Sequence, residues 1–263
     1  LTFFWFSFFW FNFVQIPTFP ECDHDLVKSL MPQSDYALVD SLQRSPMEGK
    51  YFTALFCRYG SVVYSLIRHS AKSPVQADYL FALVWRHILN ELGGIDLSAF
   101  RSQTSPKAAD PQTGLRAANS QAEDKNSAPE FSLQAWLINL TAAHINQIKM
   151  PDVESIHYVL QNAPPPLWCY TERALEGLPP KHRLIVLMAQ TFEWSDTRIA
   201  AYLQAEGEQI SASQVQAERQ KAYPVLEKAI PADIRSIYLQ HQPAVVSSPE
   251  EAGLMTIEFD EPD

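Results

Sequence analysis

The residues of this sequence that are best suited to chemistry lie on a polar helix near its C-terminus. The stretch "ISASQVQAERQKAYPVL" follows a shorter helical pattern that Ser195 can cap and in which Ile199 and Leu203 are apolar. Two short helices joined in this way are a common DNA-reading device, and the second helix lies in the major groove. Gln can pair with adenine and Arg with guanine, each through two hydrogen bonds. The groove-side candidates are Ser213, Gln214, Gln216, Ala217, Arg219, Gln220 and Lys221.

A solvated polar face on an ordinary helix would show the same residue types, and this alternative stays open for each of these residues. A second cluster, Lys181, His182 and Arg183, follows two prolines at the start of another helix. These side chains could contact phosphate or remain in water.

Other kinds of chemistry find little support. Cys22 and His24 could offer two metal ligands, but no second pair has the ligand spacing of a zinc site, so we predict no metal site. Cys22, Cys57 and Cys169 are widely spaced, which favours reduced thiols in the cytoplasm over a disulfide framework. We find no Gly-rich phosphate loop, nucleophile motif or paired catalytic carboxylates. We therefore predict no catalytic residues, no cofactor, no small-molecule substrate and no enzymatic activity.

The composition bounds the range of partners. The chain has 263 residues, 46% hydrophobic and 19% charged, which is typical of a globular protein with a sizeable core. Its formal net charge is −10. Proteins that bind polyanions without specificity gain affinity by neutralising phosphates, so this charge argues against that class. A local basic face, or a DNA contact supported by a larger partner, remains compatible with it.

The segments that must position these residues have helical periodicity, and no strand pattern of any length appears. Apolar residues from Phe52 to Ile67 recur at spacings of three and four, and Ser34 and Ser73 can cap helices. We predict an all-α fold with two helical domains, at residues 21–150 and 168–240, joined by a linker at 151–167.

Three segments are expected to lie outside the folded domains. Residues 102–130 are polar and free of aromatics, and residues 241–263 are acidic, so both are predicted to be disordered. Residues 1–20 form an aromatic leader that is too short to span a membrane. We expect this leader to be unstructured or to result from an over-extended translation start, with the protein proper beginning near Gln15. A peripheral membrane anchor is the alternative, and no stable membrane insertion is predicted.

The order of the helical blocks resembles a bacterial RNA polymerase sigma factor of the extracytoplasmic-function type. "SDYALVDSLQRSPMEGKYFTALFCRYGSVVYSLI", "ADYLFALVWRHILNEL" and "FSLQAWLINLTAAHIN" resemble successive helices of region two, and "LEGLPPKHRLIVLMAQTFEWSDTRIAAYL" resembles region four. The resemblance implies a cytoplasmic transcription initiation factor that binds core RNA polymerase, directs it to promoter DNA and assists strand opening. It also allows for an anti-sigma factor as a partner.

The same resemblance implies roles for individual residues. Arg183 would join the groove-side candidates in contacting the upstream promoter element. Trp136 and Leu137 match the typical pair of the promoter-melting helix, in which the Trp is mainly structural. The residues implied at the melted strand are Asn139, Thr141, Ala143 and Asn146. The residues implied at the polymerase surface are Asp78, Leu80 and Arg86.

The sequence also departs from the family pattern. Gln216 and Glu218 occupy positions at which the recognition helix usually carries Lys or Arg. Pro224 falls within this helix, and because proline lacks an N–H donor we expect it to kink or end the helix. These departures support an alternative, a sigma-shaped protein–protein interaction module that binds polymerase or an anti-sigma factor without reading promoters.

Overall fold

Helices account for all the regular structure in the part of the chain that is described. The computed structural model describes residues 16–98 and 131–239. Neither range contains a strand, so the predicted all-α class is confirmed for them. We number the helices α1 (Asp25–Lys28), α2 (Asp35–Arg44), α3 (Gly49–Ser70), α4 (Pro74–Leu92), α5 (Leu133–Ile145), α6 (Pro165–Glu176), α7 (Pro180–Thr191), α8 (Asp196–Ala205), α9 (Ala212–Ala229) and α10 (Ala232–Tyr238). Short 3-10 helices occur at Pro20–Asp23 and Val153–Ser155.

Three of the segments discussed above lie outside the described residues. These are residues 1–15 of the leader, the insertion predicted at residues 102–130 and the tail predicted at residues 241–263.

Serine side chains begin several of the helices as the sequence indicates. Ser34, Ser73 and Ser195 each accept a hydrogen bond from the backbone N–H three residues further on, at 3.2, 3.1 and 3.3 Å. Each bond satisfies one of the four N–H groups that the first turn of a helix leaves without an intrahelical partner. The predicted helix starts at these three positions are therefore confirmed.

Helix α3 is the centre of the main core. It packs against α2, α4, α5 and α6, and its apolar stripe from Phe52 to Ile67 is buried. Edge-to-face contacts join Phe52 and Phe56 to Trp85 of α4 at centroid distances of 5.6 and 5.1 Å. Such pairs add to the stability gained from the large apolar area that aromatic side chains bury.

The N-terminal segment is held against this core, which corrects two expectations. Cys22 and Cys57 form a disulfide, so the interpretation of both as reduced thiols was wrong; the third cysteine, Cys169, is a free buried thiol. Phe19 packs edge-to-face on Phe56 with ring centroids 4.7 Å apart. Residues 16–20 of the predicted leader therefore belong to the folded part of the chain.

The C-terminal helix α10 returns to the start of α3. The Asp233 carboxylate accepts a 2.7 Å hydrogen bond from the backbone N–H of Lys50, in the first turn of α3. Ile234 and Tyr170 close over Gly49 so tightly that a Cβ at Gly49 would overlap with Ile234. Buried residues of α6 and α10 therefore share the main core with α2 to α5.

Helix α9 runs through Pro224, which corrects part of the expectation for this residue. The helix extends from Ala212 to Ala229 without a break, so Pro224 does not end it.

Across the two described ranges, no helix is both long enough and apolar enough to cross a membrane.

Candidate nucleic-acid interface

Helices α7, α8 and α9 pack against one another as one unit, and a short turn joins α8 to α9. The turn after α8 contains Gly207 with φ of 94°, a left-handed conformation that glycine adopts without steric cost. The Gln204 side chain donates a 2.7 Å hydrogen bond to the carbonyl of Ile210, which closes the turn. Ser211 and Gln214 then form a capping box at the start of α9. Local side-chain chemistry thus fixes both the end of α8 and the beginning of α9.

A small core of its own holds this unit together. Ile185 of α7, Ile199 and Leu203 of α8 and Val215 of α9 are buried in one cluster. Further along α9, Ala222 is buried with Leu178 and Val186 in a second cluster. Because α9 faces α7 and α8 through Val215 and Ala222, its opposite side is presented to solvent.

Most of the predicted groove-side residues lie on that exposed side. The exposed ones are Ser213, Gln214, Gln216, Ala217, Gln220 and Lys221. The Gln214 side chain is partly occupied, because its Oε1 accepts a 2.8 Å hydrogen bond from the N–H of Ser211. Gln216 and Gln220 are four residues apart, one above the other on the helix surface, and both amides point away from the core. They are the best placed of these side chains to meet a base edge.

Arg219 departs from its predicted role. Its guanidinium pairs with Asp196 at the start of α8, with 3.0 Å between Nη2 and Oδ2, and both side chains are about three-quarters buried. Its Nε is buried without a hydrogen-bond partner in the described part of the chain. Arg219 therefore links α8 to α9 and does not project toward a groove, because the carboxylate of Asp196 lies within its reach.

Carboxylates also lie within 3 Å of Lys181, His182 and Lys221. Glu218 lies 2.8 Å from Lys221 and 2.6 Å from His182. Hydrogen bonds from these two side chains lower the pKa of Glu218, and the bond from Lys221 has the larger effect. Lys181 pairs with Glu208 at 2.8 Å. Arg183 is half-buried, and its side chain has no hydrogen-bond or ion-pair partner in residues 16–98 and 131–239. Among Lys181, His182 and Arg183, Arg183 is thus the one that no carboxylate of the described residues neutralises.

The predicted melted-strand residues divide between two sides of α5. Asn139, Ala143 and Asn146 are exposed and follow one another at spacings of four and three, so they share a face. Thr141 was expected on this face, which was wrong: it is fully buried, and its hydroxyl has no partner in the described ranges. Leu137 is buried beside it and Trp136 packs on the same core.

The residues of α4 that were predicted to contact the polymerase interact with other residues of this chain. Leu80 is buried with 3% of its surface exposed, so its expected contact with a partner was wrong. Asp78 accepts a 2.8 Å hydrogen bond from the Tyr64 hydroxyl, and burial raises its pKa above the usual value. Arg86 pairs with Glu172 at 2.6 Å and lies over the ring of Trp168. Arg86 has 43% of its side chain exposed.

Two further pairs were missed in the sequence. The Arg198 guanidinium lies 4.2 Å from the centre of the Trp194 ring, at the start of α8. The spacing of four between Trp194 and Arg198 would have indicated this contact. The rings of His87 and His144 stack at 4.1 Å between α4 and α5, and burial, followed by the charge of His87, lowers the pKa of His144. No local pattern indicates this second pair, because the two histidines lie far apart in the sequence.

No metal-binding cluster of three or more His, Cys, Asp or Glu side chains occurs in the described ranges. Comparisons with protein-family models, with curated proteins and with solved structures give no match for this chain.

Proposed function

We propose that this chain is a sigma-like transcription initiation factor. The proposal rests on the exposed polar side of α9. There Gln216 and Gln220 lie one above the other, on the side of the helix opposite to its contacts with α7 and α8. An elongated polar surface on the second helix of a helix-turn-helix unit fits the major groove. The exposed face of Asn139, Ala143 and Asn146 on α5 is a second polar surface, which in this proposal meets unstacked bases.

The charge distribution supports a DNA contact in this region despite the acidic chain. Residues 180–239 contain equal numbers of basic (Lys, Arg) and acidic (Asp, Glu) residues, so the net charge of −10 arises elsewhere in the sequence. Repulsion from DNA is therefore weaker at α9 than the whole-chain charge implies. Few unpaired cations remain, and we expect weak binding by the protein alone. Polymerase would supply the missing affinity by raising the effective concentration of this unit at the promoter.

In this proposal the assignment of side chains follows their surroundings. Gln216 and Gln220 read bases, Lys221 and Arg183 contact phosphate, and Arg219 positions α9 through Asp196. Arg86 meets the polymerase, which in turn supplies catalysis. The protein would act in the cytoplasm, with core polymerase, promoter DNA and an anti-sigma factor as partners.

Footprinting of the polymerase complex tests this assignment. The double variant Gln216→Ala, Gln220→Ala removes both amides from the exposed face while leaving the buried Val215 and Ala222 in place. Loss of each good base contact costs about 1–3 kcal/mol, so we expect at least a tenfold loss of upstream protection. Gln134→Ala, at an exposed position of α5, is the matched control and should leave the footprint unchanged. Unchanged protection in the double variant would contradict promoter reading by α9.

One observation favours a second function, a protein–protein interaction module without promoter reading. Both cations of α9 that were expected to face DNA, Arg219 and Lys221, are paired with carboxylates of the same chain. Two results together would support this module over the initiation factor. Core polymerase would co-purify with both the wild type and the double variant, and neither protein would give an upstream footprint.

A further inference from the structure

A cavity of about 920 Å³ lies between the end of α3, the start of α4 and the N-terminal segment. Arg68 of α3 and Asp78 of α4 belong to its walls, and Pro17, Leu160 and Pro164 supply apolar surface. Small-molecule sites typically have volumes of about 300–1,000 Å³, and they combine apolar walls with a few polar groups that orient the ligand. The cavity therefore has the size and the wall chemistry of a ligand site.

The charge of Arg68 is not paired within the described part of the chain. Arg68 forms no hydrogen bond or ion pair with residues 16–98 or 131–239, and none of its guanidinium nitrogens is among the side-chain atoms that water cannot reach. A guanidinium offers several N–H donors in a planar arrangement that matches a carboxylate. Arg68 is thus available to an anionic group from outside the chain.

Asp78 is held by one of its carboxylate oxygens, and the other oxygen is free. Its Oδ1 accepts a 2.8 Å hydrogen bond from the hydroxyl of Tyr64, which lies one turn before Arg68 on α3. Its Oδ2 has no partner in the two described ranges and remains accessible to water. Burial raises the pKa of Asp78, and the hydrogen bond from Tyr64 and the nearby charge of Arg68 oppose this rise. Two opposite charges thus lie near each other without forming an ion pair.

The N-terminal wall of the cavity is fixed to the main core. Ile16 to Glu21 form this wall. The disulfide between Cys22 and Cys57 attaches the segment to α3, and the ring of Phe19 packs on Phe56 and Phe81 with centroid distances of 4.7 and 5.9 Å. The cavity is therefore formed before a ligand enters, so binding does not require this segment to be ordered.

Two further titratable residues line the cavity but are less suited to a ligand. Glu21 is 5% exposed, and water cannot reach its Oε1. His69 is exposed, and its Nδ1 lies 2.6 Å from the carbonyl oxygen of Ser65. A neutral ring that donates through Nδ1 can only accept at Nε2, so it offers no donor to a carboxylate. Arg68 and Asp78 therefore remain the charged groups that a ligand would meet.

We propose that this cavity binds a small zwitterion whose carboxylate pairs with Arg68 and whose ammonium group donates to Asp78. A ligand with both charges gives each of these side chains a partner, whereas an anion alone would leave Asp78 unpaired and a cation alone would leave Arg68 unpaired. The alkyl part of the ligand would pack on Pro17, Leu160 and Pro164. Free amino acids and short peptides have this chemistry. Binding at this site is independent of promoter reading by α9.

The test is calorimetric titration of the full chain with leucine and with the dipeptide leucyl-leucine. The singly charged analogues are 4-methylpentanoate, which lacks the ammonium group of leucine, and 3-methylbutylammonium, which lacks its carboxylate. We expect saturable binding of at least one zwitterion, at least tenfold tighter than that of either analogue. Tighter binding of leucine than of the dipeptide would identify a free amino acid as the ligand, and the reverse order would identify a short peptide.

Variants of the two charged residues locate the site. Arg68→Met should weaken zwitterion binding at least tenfold and remove its advantage over 3-methylbutylammonium. Asp78→Asn retains an oxygen for the Tyr64 hydrogen bond, and it should remove the advantage over 4-methylpentanoate. Arg44→Met removes an exposed cation of α2 outside the cavity and, as the matched control, should leave binding unchanged.

Thermal unfolding establishes that each variant is folded, and the comparison of analogues on the wild type does not depend on any variant. Three results would each overturn the proposal: no binding of either zwitterion, binding of a singly charged analogue as tight as that of the zwitterions, or zwitterion binding that a folded Arg68→Met variant leaves unchanged.

Discussion

Replacing Gly49 by Ala should loosen the attachment of the C-terminal helix α10. Gly49 is the first residue of α3, and a Cβ placed there would overlap with Cγ1 and Cδ1 of Ile234 and come within 2.8 Å of a ring carbon of Tyr170. Neither neighbour can move freely, because Ile234 is fully buried and Tyr170 is 1% exposed. The added methyl group must therefore displace α10 or strain the start of α3.

Two opposing effects determine how far Gly49→Ala lowers the free energy of unfolding. Overpacking a well-filled site by one methyl group costs about 1–3 kcal/mol. The preference of helices for Ala over Gly returns at most about 1 kcal/mol, and less at the first helical position than in the interior. We expect the free energy of unfolding to fall by about 1–2 kcal/mol. If α10 detaches, the lost burial of Ile234 alone costs about 2–5 kcal/mol, and the lost burial of Ile237 adds to it.

Urea denaturation of the full chain measures this change, and hydrogen exchange of the α10 amides locates it. Gly60→Ala is the matched control on the same helix, because its Cβ would meet Phe19 at 3.4 Å, an ordinary van der Waals distance. That variant should be neutral or stabilised by up to about 1 kcal/mol. In an Ile234→Ala background, Gly49→Ala should lose most of its cost, since the two Ile234 atoms that the new Cβ would overlap are gone and the ring carbon of Tyr170 at 2.8 Å remains. Equal stabilities of Gly49→Ala and Gly60→Ala would refute the close docking of α10 on α3.

Three further changes test other contacts. Cys22→Ser should lower the free energy of unfolding of the oxidised protein by about 3–4 kcal/mol, because the disulfide to Cys57 spans a sequence separation of 35; an unchanged urea midpoint would contradict the pairing. Glu21 is 5% exposed, and its burial raises its pKa from 4.5 to about 7. Stability should therefore fall by about 3 kcal/mol as pH rises through that range, and Glu21→Gln should flatten this dependence in urea titrations. Ser211→Ala should cost about 1 kcal/mol in urea denaturation through loss of the capping box, while Ser213→Ala should cost little.

Features encoded by neighbouring residues could be predicted from the sequence. The caps at Ser34, Ser73 and Ser195 and the buried stripe of α3 depend on spacings of three and four residues, which the sequence displays directly. The exposed side of α9 could be predicted for the same reason, since its fully buried residues, Val215 and Ala222, are spaced seven residues apart on the opposite side.

Features that depend on distant residues could not be predicted in this way. Arg219 carries the charge expected of a DNA contact, but its environment is decided by Asp196, which lies 23 residues earlier in the chain. Thr141 lies on a helix with apolar residues on nearly every side, so its periodicity does not distinguish inside from outside. Leu80 is buried because α4 lies between α3, α5 and α6, a placement that the helix itself does not encode.

The bond between Cys22 and Cys57 was missed for a related reason. Spacing alone does not specify a pairing among three cysteines, and their wide spacing favoured free thiols. The bond follows from the docking of the N-terminal segment on α3, in which the aromatic ring of Phe19 takes part.

Pro224 removes one backbone hydrogen bond from the interior of helix α9. Because its nitrogen carries no hydrogen, the carbonyl of Gln220 receives no intrahelical bond from it, and Gln220 is exposed to water. Val215, ahead of this point, belongs to the cluster of α7 and α8, whereas Leu226, behind it, packs against the main core. Bending α9 at this position would therefore break one backbone hydrogen bond fewer than bending it at a residue with an N–H group. In the function proposed above, a bend at Pro224 would change the angle at which the surface that carries Gln216 meets a DNA duplex.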